Sequence, residues 1–193
     1  MAPTTTKTKK PAEDGKVYFS YADVHSTVQS LVPRLSAFQP TVLIAIGGGG
    51  FIPARILRTS LKVPILAVGL ELYDDSTNTI REKVKCLQWF DDKHWPGNLV
   101  PGGNVLIIDE VDDTRTTLQY CVEEVLKHKP TKIGVAIVHN KLKPKRGQLP
   151  KDVEYFAGAD VPDYWNCYPW DSEAYSRSID EHEALARSCN VEK

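Results

Sequence analysis

Asp109, Glu110, Asp112 and Asp113 put four carboxylates within five residues, and Thr114, Arg115, Thr116 and Thr117 follow directly. Carboxylates this dense raise one another's proton affinity unless a cation or a hydroxyl-bearing ligand sits among them. Amides exposed at a helix start attract phosphate, and the hydroxyl-rich turn leads into a helical pattern. Before the acids runs Val105-Leu106-Ile107-Ile108, apolar and mostly β-branched, which reads as a buried strand. One short segment therefore offers a sugar and metal end beside a phosphate end.

A second special loop, Gly47-Gly48-Gly49-Gly50, follows another apolar run. It fails as a dinucleotide fingerprint, because a GxGxxG begun at Gly47 or Gly48 needs glycine where Ile52 or Pro53 stands. No GxxxxGK[ST] exists, so a Walker A loop is excluded. What remains is a backbone that can approach an anion closely, with a tight strand-to-helix turn as the plainer alternative. An aspartyl-nucleophile phosphohydrolase would want Asp-x-Asp, which Asp109-Glu110-Val111 does not supply.

The elements that must position these loops alternate. Ser20 can cap a helix from about Tyr21 to Ala37, with Val24, Val28, Leu31, Val32 and Leu35 as its stripe. Pro33 is expected to bend or shorten it. Thr41 to Ile46 reads as a strand, Phe51 to Leu61 as a helix with Pro53 in its first turn, and Val63 to Leu70 as a strand. Val105 to Ile108 is the third strand. Leu118, Cys121, Val122, Val125 and Leu126 give the next helix, and Lys132 to Val138 the fourth strand. A short strand near Val153 to Ala157 follows. This alternation predicts an α/β fold with a parallel central sheet flanked by helices. Ligands of such sheets bind beyond the carboxyl ends of the strands, where both special loops fall. Residues 71–101 lack a clean period and are expected to form a flexible lid loop, with an edge strand near Lys83 to Trp89. The aromatic stretch with Tyr164, Trp165, Tyr168 and Trp170 predicts a small C-terminal hood over about 160–193.

The 193 residues fit one domain, taken as 17–193. A net charge of −1 gives no global field favouring nucleic acid or an anionic membrane. No apolar run approaches the roughly 18 residues of a spanning helix. Residues 1–16 are polar and lysine-bearing; a flexible tail is expected, with a transit or nuclear-import segment as the alternative. Cysteines at 86, 121, 167 and 189 form no CxxC pair, which points to reduced thiols and a cytoplasmic protein. His182 and Cys189 could face a zinc, but two further ligands have no obvious source.

The segment Val105 to Thr117 resembles the phosphoribosyl pyrophosphate motif of type I phosphoribosyltransferases. Further stretches narrow the resemblance: Val42 to Arg55, Leu70-Glu71-Leu72-Tyr73-Asp74, Val161-Pro162-Asp163-Tyr164-Trp165, and Tyr168-Pro169-Trp170-Asp171. Together, from about Tyr18 onward, they are similar to the purine 6-oxo enzymes, and most to the fungal hypoxanthine-guanine group. The resemblance implies transfer of the 5-phosphoribosyl group from phosphoribosyl pyrophosphate to hypoxanthine or guanine, giving IMP or GMP. Mg²⁺ is the implied cofactor, and a homodimer the implied assembly. It implies that Asp109 and Glu110 hold the ribose hydroxyls and one Mg²⁺, with Asp171 placing a second. Asp113 becomes the acid near N7 of the base, as general base or electrostatic stabiliser. Asp112, Thr114, Arg115, Thr116 and Thr117 form the ribose-phosphate loop. Gly47, Gly48 and Gly49 form the pyrophosphate loop, where a cis non-proline peptide is expected. Trp165 matches the aromatic that stacks on the purine, Asn166 offers backbone groups to its edge, and Lys141, with Lys143 behind it, donates to the 6-oxo group. Leu72 and Tyr73 match the lid, where many relatives carry Ser-Tyr. Many relatives also carry a basic residue in the pyrophosphate loop; here Arg81 or Lys83 is a candidate substitute. Three rivals stay open: xanthine as the base, a non-catalytic nucleotide sensor of the same fold, and a nucleoside-cleaving hydrolase.

Overall fold

The computed structural model describes residues 9–74, 79–175 and 178–191, with side chains described outside 73–83 and 175. In chain order the elements are β1 (Lys16–Tyr18), α1 (Tyr21–Phe38), β2 (Val42–Gly47), α2 (Phe51–Leu61), β3 (Ile65–Asp74) and β4 (Thr79–Gln88). They continue with β5 (Asn104–Asp112), α3 (Thr116–Leu126), β6 (Lys132–Lys141), β7 (Glu154–Val161), β8 (Trp165–Cys167) and α4 (Ile179–Ser188).

Six strands form one sheet in the order β4-β3-β2-β5-β6-β7. Every pairing is parallel except β3 with β4. The central strands are apolar without alternation because both faces are covered. Leu43, Ala45, Leu106, Ile108, Ala136 and Val138 pack under Val24, Val28, Leu31 and Leu35 of α1 and Ala54 and Leu57 of α2. Val42, Ile44, Ile46, Val105, Ile107 and Ile137 pack against Leu118, Cys121, Val122 and Val125 of α3. Each such Leu or Ile removed from water contributes about 1.5–3 kcal/mol.

Several expectations need correcting. Pro33 does not end α1, which runs through it to Phe38 and buries Leu35 and Phe38 beyond it; the buried stripe outweighs one missing amide bond. Residues 71–101 are not simply an irregular loop. β3 extends to Asp74 and β4 returns along it from Thr79, so the lid segment includes an antiparallel ribbon at the sheet edge. The segment before β1 is packed from Lys9 onward. The Lys9 ammonium is buried 2.8 Å from the Asp23 carboxylate and donates to the Ala186 carbonyl, and the Lys10 amide bonds the Cys189 carbonyl.

The hood is built on a second, two-stranded sheet in which β1 lies parallel to β8, with Lys16 opposite Trp165 and Val17 opposite Asn166. A stacked column of rings, Phe19, His139, Tyr168 and Trp170, ties the hood to β6. His182 and Cys189 are buried in this layer; His182 bonds the Phe19 carbonyl at 2.9 Å. Among the described residues no group of three or more His, Cys, Asp or Glu side chains gathers around a common point.

Candidate active site

A cavity of about 210 Å³ opens at the carboxyl ends of β2 and β5. Gly47, Gly48 and Gly49 line one wall, Asp109 to Leu118 the other, and Leu70 and Leu72 the side next to the ribbon. The Gly47–Gly48 peptide is cis, as the resemblance implied. The glycines make way for specific neighbours. A Cβ on Gly49 would overlap the carboxylate of Glu110, and one on Gly50 would overlap the carbonyl of Ile108. A Cβ on Gly48 would meet nothing within 4 Å.

β5 does not stop at Ile108 but carries its acids inside the strand to Asp112. Asp109 is buried, and its side chain accepts from the Glu110 amide at 2.9 Å. Burial first, then the Glu110 and Asp112 charges, push the Asp109 carboxyl well above its ordinary range. Oε2 of Glu110 is buried with no hydrogen-bond partner among the described residues.

Two helices start near this cavity without a side-chain cap, and of these α3 lines it. α2 starts at Gly50 and α3 at Arg115, which adopts a left-handed φ of 66°. By contrast α1 and α4, which start elsewhere, carry complete capping boxes, Ser20 with Asp23 and Ser178 with Glu181. The amides of Thr116, Thr117 and their neighbours are therefore left for a ligand, and the positive helix ends favour an anion.

Asp112 departs from the sequence expectation. It lines the cavity wall, yet its side chain is fully buried. Oδ2 accepts from Nε and the terminal nitrogen of Arg115 at 2.9 and 2.6 Å and from the Tyr155 hydroxyl at 2.7 Å. The Arg115 guanidinium lies over the Tyr155 ring. The two side chains expected on the ribose phosphate thus clamp the loop from behind, and what Arg115 offers a ligand is backbone. Lys145 completes the clamp by donating to the carbonyls of Asp112, Asp113 and Lys141 at 2.6, 3.0 and 2.8 Å. The amides of Arg146 and Gly147 bond the Thr114 carbonyl at 3.0 Å. The basic run after β6, which alone would read as a solvated loop, braces the turn between β5 and α3.

Asp113 faces the other way, into a ring of charges. Its Oδ1 lies 3.0 Å from Lys143 and 3.2 Å from Lys141. Burial pushes its carboxyl up, but the two ammonium groups outweigh that and hold it below the ordinary value. Asp163 of the hood closes the ring, 2.9 Å from Lys143 and 3.8 Å from Lys141.

The phosphoribosyl transferase domain family matches residues 26–172 of this chain. The chain belongs to that family. Over 88% of its length it is 41% identical to the hypoxanthine-guanine phosphoribosyltransferase of Schizosaccharomyces pombe, covering 93% of that protein. It is 40% identical to xanthine phosphoribosyltransferase 1 of Saccharomyces cerevisiae, covering 92% of this chain and 98% of that one. A solved structure of a hypothetical protein from Neisseria gonorrhoeae with bound ppGpp is 41% identical and superposes with a TM-score of 0.79, covering 90% and 96% of the two chains.

In this phosphoribosyltransferase the sequence-expected residues fall into two groups. Gly47, Gly48, Gly49, Leu72, Asp109, Glu110, Asp112, Asp113, Thr114, Arg115, Thr116 and Thr117 meet at the cavity. Lys141, Trp165, Asn166 and Asp171 do not line it. Lys141 reaches it through Asp113. Trp165 stands 60% exposed at the hood. Asn166 lines a separate cavity of about 110 Å³ with Phe19 and His139. Asp171 opens the 3-10 helix Pro169–Tyr175, and burial, then the charge of Glu110, raise its carboxyl. The side chains of Tyr73, Arg81 and Lys83 lie outside the described part, so the substitute for the basic loop residue is not identified. Sequence reading missed Tyr155 and Lys145, which act across 43 and 33 residues. The only signal was the excess of lysine after β6.

The donor set fits Mg²⁺. Two adjacent carboxylates, one abnormally basic and the other with a buried oxygen lacking a partner, are short of positive charge. That they form no closed protein cage suits a cation usually held by one or two carboxylates together with substrate phosphates and waters.

Proposed function

We propose that the protein transfers the 5-phosphoribosyl group from phosphoribosyl pyrophosphate to hypoxanthine or guanine, yielding IMP or GMP and pyrophosphate. The observation that carries this reading is that the uncapped start of α3 and the Gly47–Gly49 loop line one cavity together with Asp109 and Glu110. Two phosphate-type subsites flanking a pair of acids match a ribose bearing a phosphate at one end and pyrophosphate at the other. The name of the Schizosaccharomyces pombe relative supports the base.

The start of α3 would hold the 5′-phosphate with its amides and with the hydroxyls of Thr114, Thr116 and Thr117. The Gly47–Gly49 backbone would accept the pyrophosphate. Asp109 and Glu110 would hold the ribose hydroxyls and Mg²⁺. When bound, Mg²⁺ neutralises charge that develops on the departing pyrophosphate. N9 of the base then forms the bond to C1′ as the bond to the pyrophosphate oxygen breaks. Asp113 faces the N7 proton. Because the lysines hold it ionised and weakly basic, it stabilises positive charge on the imidazole ring and accepts the proton late. Lys141 would donate to the 6-oxo group, and Trp165 would stack over the ring.

Xanthine as acceptor is the second reading, favoured by the similarity to the Saccharomyces cerevisiae xanthine enzyme. A nucleotide-sensing role has support from the ppGpp-bound neighbour. Turnover of phosphoribosyl pyrophosphate with Mg²⁺ and hypoxanthine, guanine, xanthine or adenine in separate reactions decides among them. Nucleotide formation with the first two and none with adenine is expected. Dominant xanthine turnover favours the second reading, and tight nucleotide binding without turnover on any base favours the sensor. The proposal extends to a cytoplasmic homodimer, supported by four free thiols and by exposed Leu87 and Trp95; light scattering tests the assembly.

A further inference from the structure

A 6-oxopurine presents N7 and its 6-oxygen side by side on one edge. Reading both at once needs an acceptor and a donor held at a matching spacing. Those roles fall to Asp113 and Lys141, whose Oδ1 and Nζ lie 3.2 Å apart. β5 ends at Asp112 and β6 at Lys141, and their register runs out at Asp112 opposite Asn140. Asp113 and Lys141 thus lie one residue beyond the pairing that fixes the two strands. Lys145 stands at that gap. Its ammonium donates to the Asp112 and Asp113 carbonyls on one side, at 2.6 and 3.0 Å, and to the Lys141 carbonyl on the other, at 2.8 Å. Three N–H donors meet three carbonyls. The side chain is only 14% exposed, and the wall of the cavity at the ends of β2 and β5 does not include it. This cation serves backbone rather than a phosphate. The amides of Arg146 and Gly147 hold the next carbonyl, that of Thr114, so the turn keeps an anchor of its own when Lys145 is changed.

We propose that Lys145 is a positioning residue for base recognition: by gathering the backbones of Asp113 and Lys141 on one ammonium, it sets the spacing between the N7 acceptor and the 6-oxo donor. The role rests on the purine reading above. Lys145 touches neither contact atom of the base and acts only through the two residues that do. Without it, a base held at Lys141 no longer brings its N7 proton onto Asp113, and a ligand that needs only one of the two contacts is spared.

The test compares two nucleotides that share the 5′-phosphate, the ribose and the 6-oxygen. 9-Deaza-IMP carries a permanent N7 proton, whereas 7-deaza-IMP has carbon at that position. By calorimetry the wild type should prefer 9-deaza-IMP roughly 10–100-fold, the scale of one charged hydrogen bond. In Lys145→Met, which keeps the length of the side chain and loses the ammonium, that preference is expected to fall to about threefold, within the range for coupled groups. Lys145→Gln keeps two donors, should fall between, and carries the test if the first variant does not fold. A looser grip on the phosphate alone would lower both affinities alike and leave their ratio intact. A ratio retained in a folded variant, or a wild type that does not distinguish the two nucleotides, overturns the role of Lys145. Wild-type turnover of hypoxanthine alongside either result leaves the purine reading standing; a wild-type protein that binds neither nucleotide and turns over no base sinks both.

Discussion

The carboxylate of Glu110 occupies the place where Gly49 would carry a side chain. The pyrophosphate loop and the acidic pair, 61 positions apart, are thus fitted to each other. Gly49→Ala must push aside the end of a flexible side chain, which costs the fold little but displaces the acid expected to hold ribose and metal. KM for phosphoribosyl pyrophosphate should rise roughly 10–100-fold, the scale of a lost charged hydrogen bond, with the melting temperature nearly unchanged. Gly50→Ala instead meets the carbonyls of Ile108 and Ile46, which are sheet backbone and cannot yield. It should destabilise the fold by about 3 kcal/mol in urea titration. Gly48→Ala meets no protein neighbour within 4 Å, so it serves as the control for folding alone.

Asp112 and Asp113 are adjacent, yet their substitutions should separate stability from catalysis. Asp112→Asn leaves Arg115 and Lys145 without their buried counter-ion, so a loss of about 3–5 kcal/mol of stability is expected. Asp113→Asn removes a partly exposed charge from two lysines that keep Asp163. It should unfold like the wild type while kcat falls by about 100-fold or more. If the first variant melts normally and loses turnover, Asp112 belongs to the ligand and not to the clamp.

The strands and helices were legible wherever a buried face spans several residues. Val105 to Ile108 announces itself, and Leu118 to Leu126 repeats with the helical period. The continuation of β5 through Asp109 and Asp112 was not, because acids inside a strand contradict the usual pattern, and their partners Tyr155 and Lys145 are remote in sequence. β1 and β8 are three-residue strands that pair only with each other, too short to show alternation. The glycine loop and the acidic pair that line the cavity were singled out through the resemblance. The inward turn of Asp112 and Arg115 was not, because spacing fixes neighbours and not the direction of a side chain.

Trp165 lies on the exposed side of β8, with 60% of its surface open to solvent. Trp165→Ala should leave the melting temperature almost unchanged. Base stacking on an aromatic ring is worth about 1–3 kcal/mol, so KM for hypoxanthine should rise roughly 5–100-fold. A large loss of stability with an unchanged KM would return Trp165 to the role of a packing residue.

His139 provides a stability prediction tied to pH. Its ring is buried against Phe19 and Tyr168; Nδ1 pairs with the Tyr168 hydroxyl, and Nε2 has no partner among the described residues. Burial lowers its pKa to about 3, with Asp23 opposing and Lys9 assisting. The unfolded chain binds this proton near pH 6.5, and the native protein does not until about pH 3. Stability should therefore fall as pH drops through that window, by up to about 1.4 kcal/mol per unit from this group. His139→Phe keeps the stack and removes the titration. It should cost about 1 kcal/mol at pH 7.5 through the lost bond to Tyr168. At pH 5.0 the histidine's contribution is about 2 kcal/mol smaller, so the variant should match or exceed the wild type in urea titration. An identical gap at both pH values would show that His139 takes up its proton in the native state as readily as in the unfolded chain.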